Sequence, residues 1–298
     1  SKDIAVQNSA AGDVFPSGIA ISPDGKKLAV AQAQAHFLLL VGLEAGNYGQ
    51  KLASVDLGQG GAELLATHFD PASSDVVYVT AWNGSRLFEV NLANLAAPAV
   101  KEIPTGQQPE QIAFVSNTHL VVANSLSDDL TLVDRASAQV VDTIPVDPNA
   151  TLRGLAPSAL AFDAQGGRLY VALAAMNGVA AFDVKPGTGA GAAPSLQPAG
   201  YFATGWWPTA LSLAEPPSGD PLAGSLVVLN GRGHGIGPET IAQSFASGIN
   251  GLRMKGSAGI IANTDQATLD AETPKWQAAN RPAALAGKSE ISCADGAA

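Results

Sequence analysis

Four times in this chain a proline opens a run of alternating apolar residues, and the spacing of those prolines restricts the possible folds more than any other feature. The phrases are Phe15-Pro16-Ser17-Gly18-Ile19-Ala20-Ile21, Gln108-Pro109-Glu110-Gln111-Ile112-Ala113-Phe114, Ala156-Pro157-Ser158-Ala159-Leu160-Ala161-Phe162 and Trp207-Pro208-Thr209-Ala210-Leu211-Ser212-Leu213. Their prolines lie 93, 48 and 51 residues apart, and the first gap holds a degenerate copy at Gly61 to Phe69. Five units result, starting near residues 15, 61, 108, 156 and 207. A fixed period of this length marks a repeat architecture, in which each unit buries its faces only against its neighbours.

Each unit runs through a turn into a second strand, such as Val76 to Thr80, Leu120 to Asn124 or Leu169 to Leu173. The turns carry tight-hairpin chemistry, as in Ser22-Pro-Asp-Gly25 and Asp163-Ala-Gln-Gly166. Third strands follow at Phe37 to Leu43, Leu87 to Leu92, Leu130 to Asp134, Val179 to Val184 and Ala258 to Ala262. Fourth strands close most units, at Leu52 to Leu57, Val100 to Ile103, Val140 to Val146 and Gly200 to Ala203. Four antiparallel strands per unit predict an all-β fold, a β-propeller with five blades in this chain. A β-sandwich would show no recurrence of the proline phrase. The fifth unit lacks an evident fourth strand, and Ile4 to Asn8 stand where one belongs. That segment either clasps blade five into a five-bladed ring or finishes a blade that precedes this sequence.

The propeller is expected over residues 1–264, with a loop insertion at 231–256, and a linker-like, partly helical tail over 265–298. Gln266 to Asn280 has helical composition, Pro274 is expected to interrupt it, and Trp276 to anchor it on the ring. Net charge is −10 and charged residues make up 14%, so phosphate backbones and anionic lipid surfaces are repelled. Neither nucleic-acid binding nor membrane insertion is expected, since the longest apolar runs fall far short of the roughly 20 residues a spanning helix needs. Cys293 is the single cysteine, which excludes a disulfide within the chain and a site built from several cysteines.

The phrases Ser22-Pro-Asp-Gly-Lys-Lys-Leu-Ala-Val30, Gly167-Arg-Leu-Tyr-Val-Ala172 and Val140-Val-Asp-Thr-Ile-Pro145 resemble the YVTN or YncE-like β-propeller repeat. Ala203-Thr-Gly-Trp-Trp-Pro-Thr-Ala-Leu211, Leu229-Asn-Gly-Arg-Gly-His-Gly-Ile-Gly-Pro238 and Leu252-Arg-Met-Lys-Gly-Ser-Ala-Gly-Ile-Ile261 are similar to the last blade of bacterial proteins that fuse such a propeller to a phosphoesterase domain of the alkaline phosphatase superfamily. The resemblance implies a periplasmic or extracellular protein, about two further blades upstream, and a metal-dependent hydrolase domain downstream. Because that hydrolase domain has no counterpart in this sequence, the resemblance places no catalytic or metal-binding residue here.

No nucleophile elbow and no Cys/His pair supplies a covalent-hydrolase template. His36, His68, His119 and His234 occupy different repeat positions and give no metal-ligand spacing. The stretch Gly231-Arg-Gly-His-Gly-Ile-Gly237 has the glycine content of an anion nest but no Walker or dinucleotide spacing; it reads first as an inter-strand loop. Within it Arg232 and His234 are candidate binding residues. Trp206 and Trp207 are expected to pack chiefly in the core, one indole plugging between blades and the other reaching the surface, whereas Trp82, in the turn after its second strand, has a somewhat better claim to exposure. Asp128, Asp129 and Glu63 read as solvated rim acids.

The expectation is a non-catalytic scaffold without cofactor, presenting a rim or axial surface to a partner protein, domain or small ligand through Trp82, Trp206, Trp207, Arg232 and His234. The alternative is the propeller portion of a metal-dependent phosphoesterase whose catalytic domain lies outside this chain.

Overall fold

The computed structural model describes residues 15–58, 63–149, 152–189, 191–214, 222–233 and 256–280. Expectations for Ile4 to Asn8, His234, a short helix at Pro238 to Ser247 and Cys293 fall outside these residues. Among the described residues, nineteen strands form five antiparallel sheets. Blade 1 comprises β1 (Pro16–Ile21), β2 (Lys27–Gln32), β3 (Phe37–Gly42) and β4 (Lys51–Asp56). Blade 2 comprises β5 (Leu64–Phe69), β6 (Val76–Ala81), β7 (Arg86–Asn91) and β8 (Ala99–Pro104). Blade 3 has β9 (Pro109–Phe114), β10 (His119–Asn124), β11 (Asp129–Asp134) and β12 (Gln139–Pro145). Blade 4 has β13 (Pro157–Asp163), β14 (Arg168–Leu173), β15 (Gly178–Lys185) and β16 (Ser195–Ala203). Blade 5 has three described strands, β17 (Pro208–Leu213), β18 (Leu226–Asn230) and β19 (Ser257–Ile261).

Alternation of side chains along each strand explains the stacking. In β3, Leu38 and Leu40 face blade 2 while Leu39 and Val41 face the other way. Blade 1 meets blade 2 through Leu38 and Leu40 against Val77, Val79 and Phe88. Blade 2 meets blade 3 through Tyr78 and Leu87 against Leu120, Val122 and Val133. Blade 3 meets blade 4 through Val121 and Leu132 against Val171 and Phe182, and blade 4 meets blade 5 through Tyr170 and Phe202 against Leu226 and Val228. Full burial of each such side chain contributes about 1.5–3 kcal/mol, so stability resides in the seams between blades.

The innermost strands lie side by side in the order β1, β5, β9, β13, β17. Gly18 permits the approach of β1 to β5, because a Cβ there would collide with the carbonyl oxygen of Leu65. At the two ends of the series, Ile19 and Ile21 on blade 1 and Leu229 and Ile260 on blade 5 stay exposed on the faces turned away from the neighbouring blade. Among the described residues, blades 1 and 5 therefore do not seal against each other as neighbouring blades do.

The helix α1 (Gln266–Asn280) crosses the outer strand of blade 4. Asp265 caps its first turn, its carboxylate accepting the Thr268 amide at 2.7 Å. Leu269 enters the seam between blades 4 and 5, and Trp276 enters the seam between blades 3 and 4. The expected interruption at Pro274 does not occur, since the helix runs through it. Anchors buried on both sides of the proline hold the segment helical against a penalty of about 3 kcal/mol.

Candidate functional site

Antiparallel pairing places the start of each innermost strand beside the end of the second strand: Pro16 opposite Gln32, Leu64 opposite Ala81, Pro109 opposite Asn124, Pro157 opposite Leu173 and Pro208 opposite Asn230. All five pairs mark one end of the propeller. The loops that carry Trp82, Trp206, Trp207 and Arg232 emerge at this same end.

Here each ladder slips. The register skips Ser17, Glu110, Ser158 and Thr209, the residues that directly follow the repeated proline, and in β5 it skips Leu65 and Ala66. A β-bulge inserts an unpaired residue and re-aims its side chain. Ser17, Leu65, Glu110, Ser158 and Thr209 consequently line one axial cleft of about 350 Å³, together with Thr67, His68 and Gln111. All five blades contribute. The residues just before three of the prolines, Gln108, Ala156 and Trp207, hold φ angles of 55°, 51° and 60°. Left-handed backbone at a residue other than glycine costs on the order of 1–3 kcal/mol, and it persists because neighbouring groups clamp it. Asp128 accepts from the amides of Gly154 at 2.6 Å, Leu155 at 2.7 Å and Ala156 at 3.1 Å, and one blade on Asn177 Oδ1 accepts from the Trp207 amide at 3.0 Å.

The cleft presents mostly acceptors. Ser17 gives its hydroxyl proton to the Leu64 carbonyl at 2.6 Å, Ser158 to the Pro208 carbonyl at 3.0 Å and Thr209 to the Leu229 carbonyl at 3.4 Å. Their lone pairs remain available. Thr67 is buried, yet its hydroxyl has no partner among the described residues. His68 Nε2 lies 2.6 Å from Gln111 Oε1. An amide oxygen only accepts, so the imidazole carries its proton on Nε2, and burial holds its pKa below the ordinary histidine value. Burial raises the Glu110 carboxyl, partly offset by hydrogen bonds from Ser125 and from Trp82 Nε1 at 3.4 Å. No Lys or Arg pairs with Glu110 among the described residues.

A groove of about 360 Å³ between blades 1 and 2 shares Ser17 and Leu65 with the axial cleft and adds Phe15, Glu63 and Trp82. Ser17 and Leu65 thus join the two cavities, and Trp82 reaches from the groove to Glu110 of the cleft through its Nε1. Trp206 and Trp207 are 46% and 39% exposed, so neither plugs the core as expected. Asn177 clamps the Trp207 backbone, and the Arg232 guanidinium lies 4.3 Å from the Trp207 ring centroid. His234 lies outside the described residues. Asp128 corrects the reading of a solvated rim acid, because three backbone amides hold it buried. Glu63 is exposed as expected. His119 is buried far from the cleft, with Thr118 Oγ1 2.8 Å from its Nδ1 and Asp134 3.6 Å from its Nε2. Among the described residues no three metal-ligating side chains gather at one place, and no helix is long and apolar enough to cross a membrane.

The residues sequence reasoning missed are Ser17, Glu110, Ser158 and Thr209. Their signal was present: each is a polar residue directly after the repeated proline.

No protein-family model and no curated protein sequence matches the chain. Solved structures do. It is similar to the β-propeller domain of Cps50 (Swd1) from Myceliophteria thermophila, with a TM-score of 0.51 and 15% identity over 63% of this chain and 57% of that one. The fold is a β-propeller. A putative 6-phosphogluconolactonase from Bacteroides uniformis matches with a TM-score of 0.56 and 16% identity, over 72% of this chain and 62% of that one. Virginiamycin B lyase from Staphylococcus aureus matches with a TM-score of 0.55 and 12% identity, over 74% and 65%. This propeller chain spans less than two thirds of the length of each of these structures. At such identities the likeness concerns architecture alone, and one architecture hosts many unrelated functions.

Proposed function

We propose that this chain is a non-catalytic binding module whose ligand-facing surface is the end where the proline-led strands begin. One observation carries the reading. The bulge after each repeated proline sends Ser17, Glu110, Ser158 and Thr209, from four blades, into a single cleft. Bulges that interrupt pairing at equivalent points of four blades give up ladder hydrogen bonds, and the return is a shared polar surface. The strained residues before the prolines lie at the same end. The exposed pair Trp207 and Arg232 widens that surface toward blade 5, where it suits contact with a partner domain.

Ligand-observed NMR with a panel of neutral, cationic and anionic fragments tests this reading. Binders are expected on the native chain and should be lost in Ser158→Trp, which fills the cleft. Binders that ignore the plug, in a variant that still folds, would overturn it.

A further inference from the structure

We propose that the axial cleft receives an arginine side chain of a partner polypeptide, with Glu110 as the residue that pairs with the guanidinium. This rests on the reading of the proline-led end as the binding surface and goes further by naming the chemistry bound there.

Hydrogen-bond polarity is the first argument. Ser17, Ser158 and Thr209 have each committed their proton to a backbone carbonyl, so three sides of the cleft offer lone pairs. A guanidinium has five N–H donors and no acceptor, whereas a sugar or an amide brings both kinds in similar number. The Gln111 carboxamide oxygen is already taken up by His68 and by the Ile112 amide at 3.0 Å, which leaves its Nε2 hydrogens as donors beside the three hydroxyls and the Glu110 carboxylate. Acceptors therefore outnumber donors in the lining.

Charge is the second argument. Glu110 reaches the cleft as a half-buried carboxylate with no basic partner among the described residues, and no Lys or Arg lines the cleft or the adjoining groove. A desolvated carboxylate without a counter-ion is costly, and a cationic ligand removes that cost. Glu63 adds a second carboxylate in the groove. His68 is the other titratable group facing this space, and its depressed pKa leaves it neutral at pH 7.

Aromatic surface is the third. Trp82 and Phe15 line the groove that continues from the cleft through Ser17 and Leu65. A guanidinium stacks on aromatic faces as well as pairing with carboxylates, a combination that an ammonium matches less well.

The test is a titration of the full chain with blocked Gly-Arg-Gly peptide, followed at the Trp82 indole N–H, which sits against Glu110. Controls are the same peptide with citrulline, which keeps the shape and loses the charge, and methyl glucoside as a neutral polyhydroxyl. Arginine peptide should bind at least about tenfold more tightly than citrulline peptide, and Glu110→Gln should erase that difference. Ser158→Val, which removes an acceptor from another wall without touching Glu110, should weaken the arginine peptide too.

Equal binding of arginine and citrulline, or a Glu110→Gln variant that keeps the preference, overturns the arginine assignment. If methyl glucoside binds instead and Ser158→Trp abolishes it, the binding surface stands and only the arginine assignment falls. If none of the probes binds and no fragment is sensitive to the plug, both fall.

Discussion

The Trp276 indole lies flat on the Tyr201 ring, with centroids 4.2 Å apart and planes 10° from parallel, while its Nε1–H donates to the Met176 carbonyl at 3.1 Å. This stack fastens α1 to the seam between blades 3 and 4, and Gly178 leaves the space the indole fills. Trp276→Ala should cost about 3–5 kcal/mol, the range for deleting a buried aromatic. The urea midpoint measures it, and an unchanged midpoint would show the helix to be an ornament on the blade.

Asp128 is expected to be a stability residue rather than a chemical one. Asp128→Ala strips the acceptor from three amides, and at about 1–3 kcal/mol for each buried donor left unpaired, a loss near 3 kcal/mol is expected after partial rehydration. Asp128→Asn should lose roughly half as much, since one oxygen still serves Leu155 and Ala156. Denaturant unfolding of the two variants checks the ranking.

Glu110→Gln should stabilise the free protein at neutral pH. The folded carboxyl is raised above its ordinary 4.5 by burial, so the unfolded chain releases the proton more readily and stability is lost as pH rises through the folded value. The advantage of the variant should shrink toward pH 4, where both states are protonated. Thermal unfolding across that range decides it. A Glu110→Gln variant less stable at pH 7 than the native chain would show that the carboxylate is held favourably in the free protein, against the reading of a costly unpaired charge.

His68 acts in the opposite sense. Its folded pKa lies below the ordinary 6.5, because burial disfavours the charged ring. The unfolded state takes up the proton first, so this residue lowers stability as pH falls below 6.5. Replacing it, as in His68→Gln, should flatten the pH dependence between 6.5 and 5. Parallel denaturation curves for the two proteins in that window would disprove the assignment.

Much of the architecture was legible because a repeated module repeats its sequence. The proline phrase, the turn such as Ser22 to Gly25 and the β-branched second strand each announce themselves locally, and most of the strand boundaries follow. β16 was harder: Pro198 and Gly200 hide its first half, where the ladder with β15 slips between Ala181 and Phe182. Pro274 misled for a related reason. Propensity sets a local cost, and the burial of Leu269 and Trp276 in two different seams outweighs it.

The candidate site was legible only in part. Trp82 and the Trp206–Trp207 pair were visible as aromatics in loops, yet sequence could not tell which indoles face water, since that depends on how Asn177 clamps the Trp207 backbone. Ser17, Glu110, Ser158 and Thr209 stood in plain view at the same repeat position without suggesting a site.

What sequence determined by itself was periodic: a module of roughly 50 residues, four strands in most copies, apolar residues alternating so that each sheet must be covered on both faces. Those are properties of residues near one another in the chain, where local sterics and side-chain alternation act. Convergence was decided by tertiary structure alone. Five bulged strands meet around one axis only after the blades have stacked, and only that stacking half-buries Glu110 with no basic partner among the described residues.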